Sequence, residues 1–219
     1  MLVIRNTPFM KKLLIICLLL TALQGFSQSI KATYTSTIII ESNEEIIGYP
    51  PSEVFAYEYD QGKSLTTMIS GPTTIPDLKL SPSVFYKDLI KGIYKWKLLI
   101  GGKNYSIKDK LKSLDWEITT ETKDINGYLC TKATCVINDA PVIAWFCPTI
   151  NISDGPLFYS GLPGFIIKLT QANVSEYIAS DLQISNQPSL IKEPIQKKEI
   201  NFKKFKKLLS KDIERITEK

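Results

Sequence analysis

Three thiols and a few carboxylates are the side chains of this sequence best suited to chemistry. Cys130, Cys135 and Cys147 can supply one disulfide with a thiol left over, or act together as thiolate ligands. Their spacing matches no standard zinc knuckle, so oxidation is the expected fate and no metal site is expected. There is no histidine in the chain. That excludes Ser-His-Asp and Cys-His catalysis as normally built, and His-ligated zinc or copper. What remains is a carboxylate pair of the kind glycosidases use. Asp154 is the candidate, with Asp115 or Glu117 as its partner. No spacing supports that pair, and Asp beside Gly155 is ordinarily turn chemistry. The residues therefore point to no catalytic set and no cofactor.

A second group of residues suits binding. The stretch from Asn151 to Ile166 gathers Pro156, Phe158, Gly161, Leu162, Pro163, Gly164 and Phe165. Leu162 precedes a proline and is driven to extended geometry. Pro163 and Gly164 then suit the two central positions of a type II turn, while Gly161 allows a close backbone approach. The expected result is a rigid corner at the entrance of an apolar strand. Trp145, Phe158, Leu162, Pro163 and Phe165 would line a groove for a peptide, sugar or lipid. The plainer reading makes the same aromatics a small core that fixes a long connection. Tyr57, Tyr59, Tyr94 and Trp96 carry the same two readings, with core the better match for aromatics alternating in strands.

The elements that must hold these residues read as strands. Ser29 to Ile40, Val54 to Tyr59, Ile93 to Ile100 and Trp116 to Thr120 are rich in β-formers, and several alternate with period two. Turn signals separate them at Tyr49-Pro50-Pro51, Asp60-Gln61-Gly62, Gly71-Pro72, Ser81-Pro82 and Gly101-Gly102. Tyr128 to Ile137 and Val142 to Phe146 form a hairpin closed by Asn138 to Pro141. Pairing Ile137 with Val142 sets Lys132 opposite Cys147, makes Cys130 its diagonal neighbour, and turns Cys135 the other way, opposite Ala144. A Cys130–Cys147 disulfide is favoured on that register; a one-residue bulge would change it. Phe165 to Thr170 and Glu176 to Ile184 make a last strand pair. Phe202, Phe205, Leu208, Leu209, Ile213 and Ile216 then recur at helical spacing among lysines. That amphipathic helix can pack on the sheet or touch an anionic membrane surface. The fold class is mainly β: a single antiparallel, strongly curved sheet or open barrel/sandwich with a short C-terminal helix.

The first 28 residues order themselves as a secretory leader. Arg5, Lys11 and Lys12 come first, then an apolar run from Leu13 to Leu23, then Gly25 and Ser27 at the minus-three and minus-one positions before Gln28. The run is too short for a bilayer span, which needs about 20 residues. Cys17 sits inside it rather than at its end, which argues against a lipid anchor. Met10 is as natural a start as Met1. The expected organisation is a leader over 1–28, a β-rich domain over 29–191 and a basic tail over 192–219. The tail carries ten Lys/Arg against five Asp/Glu, and 29–191 carries 14 against 17. A mildly acidic, exported body is a poor partner for nucleic acid.

Gly161-Leu162-Pro163-Gly164-Phe165-Ile166 resembles the signature of the GLPGLI family, exported proteins common in Bacteroidetes. The likeness runs from about Lys103 to Ile184. It includes Trp116, Asn126-Gly127-Tyr128-Leu129-Cys130, Lys132-Ala133, Ala144-Trp145-Phe146 and Ile152-Ser153-Asp154-Gly155-Pro156. Phe165 stands where leucine is typical, Asn151 where proline is common, and Cys147 where cysteine is not usual. The resemblance implies export to the periplasm, outer membrane or medium, and it transfers no catalytic residue. The expected function is a non-enzymatic ligand-binding or accessory protein of the envelope, with an outer-membrane transporter as the expected kind of partner. A carboxylate-dependent hydrolase and a surface or assembly component are the alternatives.

Overall fold

The computed structural model describes residues 28–42, 45–48, 53–71, 81–100, 103–172, 175–195 and 198–217. Residues 1–27 of the leader, with Cys17 and the choice of Met1 or Met10, lie outside them, as do the Tyr49-Pro50-Pro51 and Gly101-Gly102 turns, Pro72 of the Gly71-Pro72 turn, and the side chains of Ile213 and Ile216.

Among the described residues, twelve strands follow in chain order. They are β1 Ser29–Ser42, β2 Glu45–Gly48, β3 Glu53–Asp60, β4 Lys63–Ser70, β5 Ser81–Asp88, β6 Ile93–Ile100, β7 Lys103–Lys110, β8 Glu117–Ile125, β9 Tyr128–Ile137, β10 Ala140–Cys147, β11 Phe165–Gln171 and β12 Ser175–Ser185. One helix, α1 Phe202–Thr217, ends the described chain. Eleven strands make one open antiparallel sheet ordered β7-β6-β5-β4-β3-β1-β12-β11-β10-β9-β8, with β2 paired to β1 off that path. The first and last strands thus lie side by side at the centre. Two meanders spread from them, β3 to β7 on one side and β12 back to β8 on the other.

Sequence alternation explains the inner face. Tyr34, Phe55 and Tyr57 are buried on the central strands, and Val142 and Ala144 on β10. All five belong to one core cluster, so residues from both wings pack together. The sheet must curl for that to happen. Register shifts in the β1–β12, β3–β4, β5–β6, β8–β9 and β10–β11 ladders supply the local bends. The curl brings Asn126, in the β8–β9 turn, within hydrogen-bond reach of the Ala179 carbonyl on β12 (2.9 Å).

Three turns differ from expectation. Ser81-Pro82 is not a turn but the start of β5, with Ser81 paired to Leu99 on β6. The β9–β10 connection has two residues rather than four. Asn138 and Asp139 both adopt positive φ, 51° and 64°, so Ile137 pairs with Ala140 and Cys135 with Val142. This is the I′ hairpin geometry that matches strand twist and that Asn and Asp tolerate best. Pro141 belongs to the strand, and Lys132 faces Trp145 rather than Cys147. The Leu162-Pro163-Gly164 corner is tighter than a type II turn. The Gly164 amide bonds the Leu162 carbonyl at 2.8 Å, closing a three-residue turn centred on Pro163. The close approach belongs to Gly164, not Gly161: a Cβ on Gly164 would sit 2.4 Å from the Cys147 carbonyl oxygen.

The tail is stitched to the body across an edge. Lys95 on β6 pairs with Glu193 at 3.0 Å and Glu199 at 2.5 Å. Ile200 then bridges Ile107 on the edge strand β7 in parallel, exchanging bonds with Ser106 and Lys108 at 2.9 Å each. Asn201 caps α1 through a 2.8 Å bond to the Lys204 amide, and Asp109 takes the Phe202 amide at 2.9 Å. Phe205 is buried in a second core with Phe85, Tyr94, Leu98, Tyr105 and Ile107. The helix thus packs Phe202, Phe205 and Leu209 on the sheet and leaves Leu208 and its lysines exposed. Phe205→Ala should cost about 3–5 kcal/mol in urea unfolding; a loss below about 1 kcal/mol would mean the helix is not part of the folded unit.

Candidate functional site

The connection between β10 and β11, residues 148–164, lies against the inner face and carries the site. Ile150, Ile152, Tyr159 and Leu162 are all buried in the main core. Leu157 touches both cores. Phe158 stands edge-on to Phe85, Tyr94 and Trp96, with centroids 4.5, 5.0 and 5.8 Å away. These are favourable aromatic geometries, and they make Phe158 the connection's plug in the second core.

At the centre of the connection is Asp154, with no exposed side-chain surface. Its partner is Lys87 of β5, equally buried, with Nζ 2.5 Å from Oδ1. Lys87 also donates to the carbonyls of Gly155 (2.7 Å) and Tyr159 (3.1 Å), so all three ammonium donors are used. The other carboxylate oxygen, Oδ2, accepts the Tyr57 hydroxyl at 2.8 Å. Tyr34 donates to the Ile166 carbonyl just beyond the corner. Asp154 also forms an antiparallel bridge with Ser160, whose carbonyl takes the Trp116 indole N–H at 2.9 Å. Gly155 has no room for a side chain, since a Cβ there would meet Ile166 at 2.8 Å.

Burying two charges is costly unless each is paired and its remaining hydrogen-bonding capacity is filled. Here both conditions hold. The electrostatics follow from the burial. Desolvation pulls the Lys87 ammonium below its ordinary pKa, with the Asp154 charge opposing it. Burial pushes the Tyr57 and Tyr34 phenols well above the usual value, and the Asp154 charge pushes the same way. Chemically, this arrangement can fix a backbone in place. It has no oxygen free to exchange a proton with a solvent-borne substrate.

The residues expected to bind divide accordingly. Leu162 and Phe165 are inside the main core, and Phe158 is half-buried in the second. They gather around the Asp154 connection and shape the surface from beneath. Pro163 is exposed at the tip of the corner. Trp145 stands half-buried on β10, with Lys132 opposite it on β9 and Lys168 on β11. Asp115 and Glu117 are exposed while Asp154 is sealed, so these carboxylates do not converge on one accessible site. Cys130, Cys135 and Cys147 are buried free thiols. Among the described residues, no group of three or more His, Cys, Asp or Glu side chains is placed to hold a metal ion.

The residue that sequence reasoning missed is Lys87. A signal was present. Lys87 follows Phe85 by two positions, so it shares that aromatic's face of β5, and a lysine buried there requires a carboxylate partner.

A family model described as the N-glycanase peptide, N-terminal domain, matches residues 92–212, more than half of the chain. No curated protein matches. Two solved structures of PNGF-II are similar. The form in space group P21 aligns with a TM-score of 0.59 and 15% identity, covering 82% of this chain and 32% of that one. The C2 form aligns with a TM-score of 0.56 and 15% identity, covering 84% and 33%. The chain therefore spans about a third of the length of these structures, and at such identity the likeness shows the fold alone.

The tyrosines give this interior a readable pH dependence. Tyr34 and Tyr57 keep their protons above the unfolded value of about 10, where the unfolded chain releases them. Their contribution is full below about pH 10 and is lost as pH rises above it. Lys87, lowered by burial, acts in the opposite sense, but one lysine is set against two phenols. Phenolate absorbance from these two should therefore rise together with the loss of far-UV circular dichroism. Complete tyrosine ionisation near pH 10 with the dichroism intact would contradict this picture.

Proposed function

Since the chain belongs to the N-glycanase peptide N-terminal domain family, we propose that it is an exported accessory domain, a rigid β scaffold that serves a partner rather than catalyses a reaction itself. The observation that carries this reading is the state of Asp154. It is the candidate carboxylate with the best position, and both its oxygens are committed to Lys87 and Tyr57 in a sealed interior. A general acid must reach the proton it transfers, and this one is walled off by its own connection. Export is supported by the charged, apolar and small-residue zones over 1–28 and by the GLPGLI-like corner. An envelope protein such as an outer-membrane transporter is the partner in this reading. The tail's contact with a membrane surface is secondary, because Phe205 is turned into the body.

The family name brings glycan forward as the ligand class. Trp145 is the aromatic that suits it. On one side Lys132 is paired with Glu121 at 2.9 Å, and on the other Lys168 with Glu176 at 2.6 Å. An apolar platform between fixed polar groups is the general form of a site that orients a polar ligand.

The test uses the purified protein and an N-glycosylated peptide. No glycan should be released, as read by mass spectrometry. Cross-linking in intact cells should recover the same envelope protein repeatedly from the exported fraction. Trp145→Ala should weaken glycopeptide binding at least several-fold if glycan is the ligand. Release of glycan by the purified chain, or retention of the chain in the cytosol, would overturn the accessory reading.

A further inference from the structure

The β9–β10 register places two thiols together. The two-residue turn sets Ile137 opposite Ala140, and the pairing continues without a shift to Thr131 opposite Phe146. The paired residues end there; the same register, continued one step, sets Cys130 opposite Cys147. In a hairpin closed by a two-residue turn, the pair flanking the turn is hydrogen-bonded and pair types alternate outward. Counting from Ile137–Ala140, the Thr131–Phe146 pair is bonded and the Cys130–Cys147 pair is not. Non-bonded pairs bring opposite Cα atoms to about 4.5 Å with their side chains close. That lies within the roughly 4.4–6.8 Å that a disulfide spans. Both thiols are buried in the same core cluster. Cys135 pairs with Val142 further along the same strand and is the thiol left over.

We propose that Cys130 and Cys147 are an oxidation site, closed to a cross-strand disulfide as the hairpin folds, while Cys135 stays a thiol. The reaction is thiol–disulfide exchange. The two cysteines give up two protons and two electrons in forming the S–S bond, and the disulfide of a small-molecule or protein oxidant is reduced to two thiols. The timing follows from burial. Cys130 and Cys147 are 0% and 1% exposed, and burial pushes the Cys130 thiol up to about 12. Thiolate is the attacking species, so exchange belongs to the partly folded chain and is suppressed once the hairpin is covered.

The bond would fix the root of the 148–164 connection. The Cys147 carbonyl accepts the Ile150 amide at 3.2 Å, and it is the group that leaves no room for a Cβ at Gly164. Cys130 lies just past the β8–β9 turn that Asn126 ties to β12. A Cys130–Cys147 link therefore joins the base of the corner to the hairpin folded over the sheet.

The geometry does not depend on the compartment, so the test separates this inference from export. The reduced, denatured protein is refolded in a buffer of oxidised and reduced glutathione, denatured again without reductant and alkylated, then digested and analysed by mass spectrometry. The expected result is alkylation at Cys135 and a linked Cys130–Cys147 peptide two hydrogens lighter than its reduced form. Adding reductant before alkylation should label all three, and only then. A Cys135→Ser variant should form the same link in the same yield. Alkylation of Cys130 and Cys147 without reductant, or a link through Cys135, would overturn the proposal.

Discussion

A buried ammonium and a buried carboxylate hold this structure's least regular part in place. Lys87 on β5 reaches across the curled sheet to Asp154 in the connection between β10 and β11, and neither has exposed surface. Two charges in such a place are tolerable only when every donor and lone pair has a partner. That requirement explains why Gly155, Tyr159 and Tyr57 converge on the same point. It also explains why the sequence around Asp154 tolerates so little bulk. Gly155 must admit Ile166, and Gly164 must admit the Cys147 carbonyl. The glycines and prolines of the corner are the consequence of a chain threaded against its own sheet.

The same constraint bears on how the open sheet survives in water. Unpaired edges invite other strands. At β7 the edge is covered by the tail, through the Ile200 bridge and then α1. At β8 it is protected by composition and irregularity. Glu117, Glu121, Lys123 and Asp124 lie along it, and its register shifts between Ile118 and Thr122. With β1 and β12 paired at the centre, the curled sheet and its inner connection make one mutually supported unit.

Much of this was legible in the sequence, because alternation and turn residues act locally. The strands over Ile93–Ile100 and Tyr128–Ile137 are where their patterns put them. The helix emerges from its apolar spacing. What escaped was of two kinds. β4 and β7 carry no strand signal of their own, because KSLTTMIS and KNYSIKDK alternate with small or charged residues, and only their neighbours make them strands. The hairpin register escaped because Pro141 looked like part of the turn, whereas Asn138 and Asp139 alone supply both positive φ angles. The candidate site was half legible. Its corner is visible in Gly161 to Phe165, and its anchor is not, because Lys87 is far from Asp154 in the chain. Only the phase of Lys87 with Phe85 hints at an inward charge.

The central claim is that Lys87 and Asp154 act as one unit holding the connection. A double-mutant cycle in urea unfolding measures this directly, with Lys87→Met, Asp154→Leu and the combined variant. Each single change leaves a charge buried without its partner and should cost about 3–5 kcal/mol. The combined variant should cost well below the sum of the two, giving a coupling of about 1–3 kcal/mol. Single losses that are small and strictly additive would contradict the account, since the pair would then be incidental to the fold it is said to hold.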